Sequence, residues 1–303
     1  KESLNIPLPP VKPEKKSKNK AGFLPRLGIH LYQDAMHFIN NPDALADTLQ
    51  RHWASLKEVK QLLAGKPMAN NIYKGKLGLI KKAAWTVALP LDAIKKISRA
   101  NEVTVNDILV AAVAGAVRKH LLRHRIKITE GMKIVVPINI RKQTDDEALH
   151  NEFSFISFNL PVHLKTTRQR IAYVHHKTAM LKPSTEPLLL EELTHMIADY
   201  SPDIVKNKIF ELMGEHIAGV VTNVPGPPHP IYLAGQKVED LSFWVPHTAP
   251  LGVGISLMSY NKKVYMGIVT DIGLVKDPDY VTKAFADEIK LMEKSLTGKK
   301  KQS

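Results

Sequence analysis

The sequence predicts a layered α/β (α+β) sandwich, and three observations predict it. Strand-length apolar runs at 82–89, 133–140 and 152–162 alternate with helical segments. A helix at about 105–122 carries Ala111, Ala112, Ala114, Gly115 and Ala116, small residues that let it lie close against a sheet. Five further strand-like runs fall between 217 and 270, ahead of a closing amphipathic helix.

Taken in order, residues 1–22 read as a basic linker, with Pro7, Pro9, Pro10 and Pro13 set around a lysine run. Asn41, Pro42 and Asp43 form a helix start, as cap, first helical position and first-turn acid. Leu45, Leu49, Trp53, Leu56 and Leu63 follow at helical spacing until Gly65. Residues 66–76 are polar and read as a crossover loop. A strand at Lys82–Leu89 and a short helix at Leu91–Ala100 come next, with Ile94 and Ile97 facing inward. Thr104 to Asp107 reads as a capping box that opens the small-residue helix.

Strands are then expected at Lys133–Ile140 and Glu152–Val162, a helix at Thr166–Lys182, and more helix between Leu188 and Gly214. The remaining strands are read at Ile217–Val224, Ile231–Val238, Leu241–Val245, Gly252–Tyr260 and Val264–Thr270. Asn261 to Lys263 supply a polar turn between the last two. The final helix, Asp277–Leu296, places Val281, Phe285, Ile289 and Met292 on one stripe.

Composition narrows the chemistry. The 303 residues include no cysteine, which removes disulfides, thiolate nucleophiles and Cys-ligated zinc. No metal-ligand spacing is read, and no cofactor is expected. The longest apolar run, Ile108 to Val117, is about half of the ~20 residues that cross a bilayer, and no signal peptide is visible. A cytoplasmic protein is therefore expected. Its net charge of +14 is concentrated partly in Lys12 to Arg26 and Lys299 to Lys301. Those segments are either solvated tails or contacts for lipid headgroups or CoA phosphates. No nucleic-acid-binding signature accompanies them.

A set of short segments in fixed order is more specific. Lys76 to Trp85 reads KLGLIKKAAW. Val105-Asn106-Asp107 precedes Ile108, Ala111, Ala112, Gly115, Ala116 and Arg118. Val136 to Arg141 reads VPINIR, and His150 to Ser154 reads HNEFS. Asn223 to Pro227 reads NVPGP and is followed by Pro230, Tyr232 and Gly235, then by Ser259-Tyr260 and Gly267. Together these resemble the C-terminal part of the wax ester synthase/diacylglycerol acyltransferase family over about 74–279. His150 departs from the family's usual Gly, and Gly254 stands where members often carry Asn.

The resemblance implies a chloramphenicol acetyltransferase-like, CoA-dependent acyltransferase fold, mainly its second domain. Residues 23–75 would then be the helical end of the first domain with its crossover loop, 76–298 the C-terminal acyltransferase domain, and 299–303 a basic tail. It also implies transfer of a fatty acyl group from acyl-CoA to a long-chain alcohol or diacylglycerol. The family's general base is the second His of a His-His-x-x-x-Asp-Gly segment. The pair His175–His176 does not fit, because Met180 and Leu181 stand where Asp and Gly are required. The catalytic motif is expected upstream of Lys1, in a missing N-terminal catalytic domain, and the chain alone is expected to be inactive. A non-catalytic acyl-CoA- or lipid-binding module of the same fold is the alternative.

Each candidate residue has two readings. Asn106, Asp107, Arg141, Asn151 and Ser154 are supporting or interface candidates by resemblance; Asn106 and Asp107 also read simply as a helix start. Asn223, Pro225 and Gly226 either wall a substrate channel or form a rigid turn. Gly252, Gly254 and Ser256 either border the acceptor pocket or let a neighbouring backbone approach. Phe243, Trp244 and the helix around Trp53 are either core or, with the lysines, a peripheral membrane or lipid-droplet contact. Liposome flotation with and without anionic lipid separates the two, since core residues would leave the chain unbound in both.

Overall fold

Alternating apolar and small residues in the middle and last thirds of the chain build one mixed sheet with helices packed on it. The computed structural model describes residues 72–73, 75, 77–139, 153–181, 216–245 and 251–296, within a compact unit spanning 51–303. The helices read from Asn41 and between Leu188 and Gly214 lie outside the described residues, as do Arg141, Asn151 and both basic segments.

The elements are β1 (Lys81–Trp85), β2 (Leu89–Pro90), α1 (Leu91–Ala100), α2 (Val105–Arg123), β3 (Met132–Asn139), β4 (Phe153–Leu160), α3 (Thr167–Leu181), β5 (Gly219–Pro225), β6 (Tyr232–Leu233), β7 (Gln236–Lys237), β8 (Val253–Tyr260), β9 (Lys263–Asp271) and α4 (Pro278–Leu296). Among the described residues the sheet runs β1–β9–β8–β5–β3–β4, with β2 also on β9. The β3–β5 and β5–β8 pairs are parallel, and β1–β9, β8–β9 and β3–β4 are antiparallel. β8 and β9 join through Asn261 and Lys262, whose φ values of 44° and 61° give the left-handed pair that a two-residue hairpin favours.

Three expected strands differ. Lys82–Leu89 is split into β1 and β2, because Trp85 pairs with Gly267 and Leu89 with Val264, leaving one extra residue on this side as a bulge. Ile231–Val238 is broken by Ala234 and Gly235, at φ 48° and 78°, into the two-residue strands β6 and β7. Alanine at a left-handed position conceals that turn in the sequence. Leu241–Val245 is extended but pairs with no strand. It lies on the sheet face instead, where Ser256 Oγ donates to the Phe243 carbonyl. Room for it comes from missing side chains: a Cβ on Gly254 would sit 3.1 Å from Val245 Cβ, and one on Gly267 would sit 2.8 Å from the Phe243 oxygen. Trp244 donates Nε1–H to the Ala84 carbonyl at 3.4 Å and meets Trp85 edge-on at 5.7 Å.

The other face holds the core. Ala84, Ile268, Ile255 and Val221 form one buried row across four strands, and Ile134 of β3, opposite Gly219, lies on the same face; all are at most 3% exposed. Helix α2 is buried nearly all round, from Asp107 to Val117, as its small residues require. It packs on α3 and α4, while α4 turns Val281, Phe285, Ile289 and Met292 inward. No single helix among the described residues is long and apolar enough to cross a membrane.

Candidate functional site

The start of α2, the end of β5 and helix α3 meet at one end of the sheet. Thr104 caps α2: its Oγ1 accepts the Asp107 N–H at 3.1 Å, and the Asp107 carboxylate accepts the Thr104 N–H at 2.9 Å. Asp107 does more than cap. It is 1% exposed, and its oxygens also accept from Thr178 Oγ1 at 2.7 Å and lie 2.9 Å from His175 Nδ1. Burial alone would raise its pKa, but the bonds from His175, Thr104 and Thr178 prevail and hold it below the usual carboxylate value.

Asn106, one position earlier, accepts a 3.0 Å hydrogen bond at Oδ1 from Asn223 Nδ2. Two sequence candidates 117 residues apart are thereby joined. Asn223 projects to the helix side because β5 alternates, with buried Val221 on the same face. β5 then continues through Pro225, which is exposed, and Gly226 donates its N–H to the Ser259 carbonyl at 2.9 Å. A Cβ on Gly226 would collide with that same carbonyl. The segment reads as a strand end pressed against β8, its other side unpaired among the described residues. Tyr260 fixes the loop beyond it, accepting the Ile231 N–H at 3.0 Å and donating to the Val238 carbonyl at 2.6 Å.

The remaining described candidates lie elsewhere, except that the register carries Ser154, opposite Ile138, to the level of Asn223 two strands away. Gly252 is covered by Leu274 and the Tyr73 carbonyl, with a Cβ placed 2.6 Å and 3.0 Å from them. Gly254 and Ser256 lie under the 243–245 segment. The KLGLIKK segment is tied to the end of β9, where buried Asp271 accepts the Gly78 N–H at 2.7 Å and Lys81 Nζ at 2.6 Å.

The glycine bed of the 241–245 segment allows a direct test. Gly267→Ala would put a Cβ 2.6 Å from Ser256 Oγ and 2.8 Å from the Phe243 oxygen. It should cost about 1–3 kcal/mol in urea unfolding. A cost below about 0.5 kcal/mol, the range of neutral surface changes, would show that the segment is not seated as described.

Sequence reasoning missed two features. His175 is a partly exposed helix histidine, but its Nδ1 also meets the Asp107 carboxylate; the signal was its place beside the inward stripe of Ile171, Val174 and Thr178. His120, His124 and Asp277 bring three ligand-capable atoms within 4.8 Å of one another. The signal there was two histidines four apart on one helix.

Residues 149–293 match the family model described as the WS/DGAT C-terminal domain. The O-acyltransferase WSD of Acinetobacter baylyi is 26% identical over 208 residues, covering 67% of this chain and 44% of that protein. A probable diacylglycerol O-acyltransferase of Mycobacterium tuberculosis is 26% identical over 206 residues, 66% of this chain and 44% of that one. The chain thus spans less than half the length of these curated relatives. Among solved structures, the wax ester synthase/diacylglycerol acyltransferase of Marinobacter aquaeolei superposes with a TM-score of 0.56 at 21% identity, over 80% of this chain and 56% of that one. The first condensation domain of the calcium-dependent antibiotic synthetase gives 0.52 at 13%, over 82% and 52%. The fold is the one these two share.

Proposed function

Because residues 149–293 match the WS/DGAT C-terminal domain model, we propose that the chain belongs to the wax ester synthase/diacylglycerol acyltransferase family and serves an acyl-CoA-dependent O-acyltransferase. In this reading a fatty acyl group passes from acyl-CoA to a long-chain alcohol or to diacylglycerol, giving wax ester or triacylglycerol. The carrying observation is the family match over 149–293, which takes in β4, α3, the NVPGP end of β5, β8 and β9.

The general base is assigned to a His-His-x-x-x-Asp-Gly segment on an N-terminal domain. Such a base takes the acceptor hydroxyl's proton while the alkoxide attacks the thioester carbonyl, releasing the CoA thiol. His175 does not carry that motif, since Met180 and Leu181 stand where its Asp and Gly are required. The junction of Asn106 with Asn223 supports an alternative task for this domain: holding the open end of β5 in place against the catalytic half. In this reading acyl-CoA enters as substrate.

An acyl-transfer assay tests this, with palmitoyl-CoA and either hexadecanol or diacylglycerol as acceptor. The chain is assayed alone and mixed with a polypeptide carrying the His-His-x-x-x-Asp-Gly half of a family member. Activity only in the mixture is expected, and the product identifies the acceptor. Activity of the chain alone would move the base into these residues, with His175 the first to substitute. No transfer in either arm would refute the enzymatic reading and leave an acyl-CoA- or lipid-binding module of the same fold.

A further inference from the structure

At the opposite end of α2 from Asn106, about 20 Å along the helix axis, three ligand-capable groups converge. His120 Nε2 lies 2.9 Å from Asp277 Oδ1, and His124 Nε2 lies 3.3 Å from the same oxygen. We propose that His120, His124 and Asp277 form a divalent metal site of the zinc class that clasps the end of α2 to the start of α4.

The ligand set is the first support. Two neutral imidazoles and a carboxylate are donors that zinc takes at about 2.0–2.2 Å in a tetrahedron, with ligand atoms about 3.3 Å apart along each edge. The His124–Asp277 separation already has that value. The His120–Asp277 pair needs to open by only a few tenths of an ångström. The two histidines are four apart, one turn of α2, so their rings stand one above the other at 4.7 Å between centroids. Asp277 is the residue preceding α4, so the site bridges the end of α2 to the start of α4.

The surroundings are those of a supported site. His120 is fully buried, and its other ring nitrogen, Nδ1, lies 2.7 Å from the Tyr73 hydroxyl. A hydroxyl accepts as well as donates. When it accepts from Nδ1–H, the free lone pair of His120 is on Nε2, the atom that faces Asp277. Arg123 approaches the outer carboxylate oxygen, Oδ2, at 3.6 Å and leaves Oδ1 to the metal. Its guanidinium is also held over the Tyr280 ring at 4.6 Å. His124 and Asp277 have side chains 39% and 33% exposed, which gives an ion a route in and a water the fourth position. The role is structural, because the site is remote from the Asn106–Asn223 end.

The test uses the whole chain stripped of divalent ions. Zn(II) should raise its melting temperature, and Co(II) should give the visible absorption of a four-coordinate site. His124→Ala, at a half-exposed helix end, should fold normally and weaken Zn(II) binding at least about tenfold, as should Asp277→Asn. A His176→Ala/His229→Ala double variant should bind as the parent does. Absence of both the thermal shift and the Co(II) spectrum overturns the proposal. So does Zn(II) binding undiminished by His124→Ala, which would place the ion on other histidines.

Discussion

Replacing Glu288 with alanine is expected to destabilise the domain by about 3–5 kcal/mol, the cost of leaving a buried charge without its counterion. Arg170 and Glu288 are each 2% exposed and meet at 2.5 Å between Nη2 and Oε2, linking α3 to α4. Burial pushes the Arg170 pKa down and Glu288 opposes it, yet a guanidinium does not give up its proton in a protein. Without the carboxylate the charge keeps, among the described residues, the Leu164 and Lys165 carbonyls, at 3.2 and 3.1 Å, and the Thr167 hydroxyl. Its Nε has no partner among the described residues even with Glu288 present. Lys119, at 2.9 Å from Oε1, would lose its contact too, but is exposed enough to turn to water.

Urea unfolding of Glu288→Ala measures the cost. A paired Arg170→Met/Glu288→Leu variant should recover most of it, because apolar groups of similar volume carry no desolvation penalty. A loss under about 1 kcal/mol in the single variant would mean that water reaches the pair and that the helices do not close over it.

That ion pair was only partly legible in the sequence. Glu288 lies three residues after Phe285 and four before Met292, inside the inward stripe of α4, and a charge in that position demands a partner. Gly115, read as one of several small residues beneath a sheet, faces this carboxylate instead, and a Cβ there would overlap it. Which cation answers Glu288 could not be read, since Arg170 is 118 residues away. The same limit hid the Asn106–Asn223 bond.

Local signals transferred well where local physics decides the outcome. The Thr104–Asp107 box needs only four consecutive residues, and α1 occupies the span its pattern predicts. The 241–245 segment shows the contrary case. Alternation of Leu241, Phe243 and Val245 establishes an extended chain, but not that its hydrogen bonds go to a neighbouring strand. Here Phe243 is served by a side chain, Ser256, and the glycines opposite make the sheet face flat enough to receive the segment.

Asp107→Ala is expected to cost about 2–3 kcal/mol at neutral pH, from a lost cap and from donors left without their acceptor. The carboxylate serves the Thr104 N–H, Thr178 Oγ1 and His175 Nδ1 together. Part of this should vanish in acid, and the sign follows from its pKa. In the fold that pKa lies below the usual carboxylate value: burial raises it, but His175, Thr104 and Thr178 lower it further. A carboxylate depressed in the folded state stabilises the fold fully above its unfolded pKa of about 3.9 and loses that contribution as pH falls through the lower folded value.

The difference in unfolding free energy between parent and variant should therefore be flat from neutrality to about pH 5 and shrink below about pH 4. Urea titrations across that range check it, and a difference unchanged down to about pH 3 would show that the charge is irrelevant to the contacts. The consequence extends beyond stability. Asp107 ties α3 to the first turn of α2, and the next residue back, Asn106, holds the end of β5. Neutralising one buried carboxylate would loosen both restraints on the open strand end that the proposed catalytic half must meet. Acid should therefore reduce acyl transfer in the complemented enzyme before it unfolds the domain.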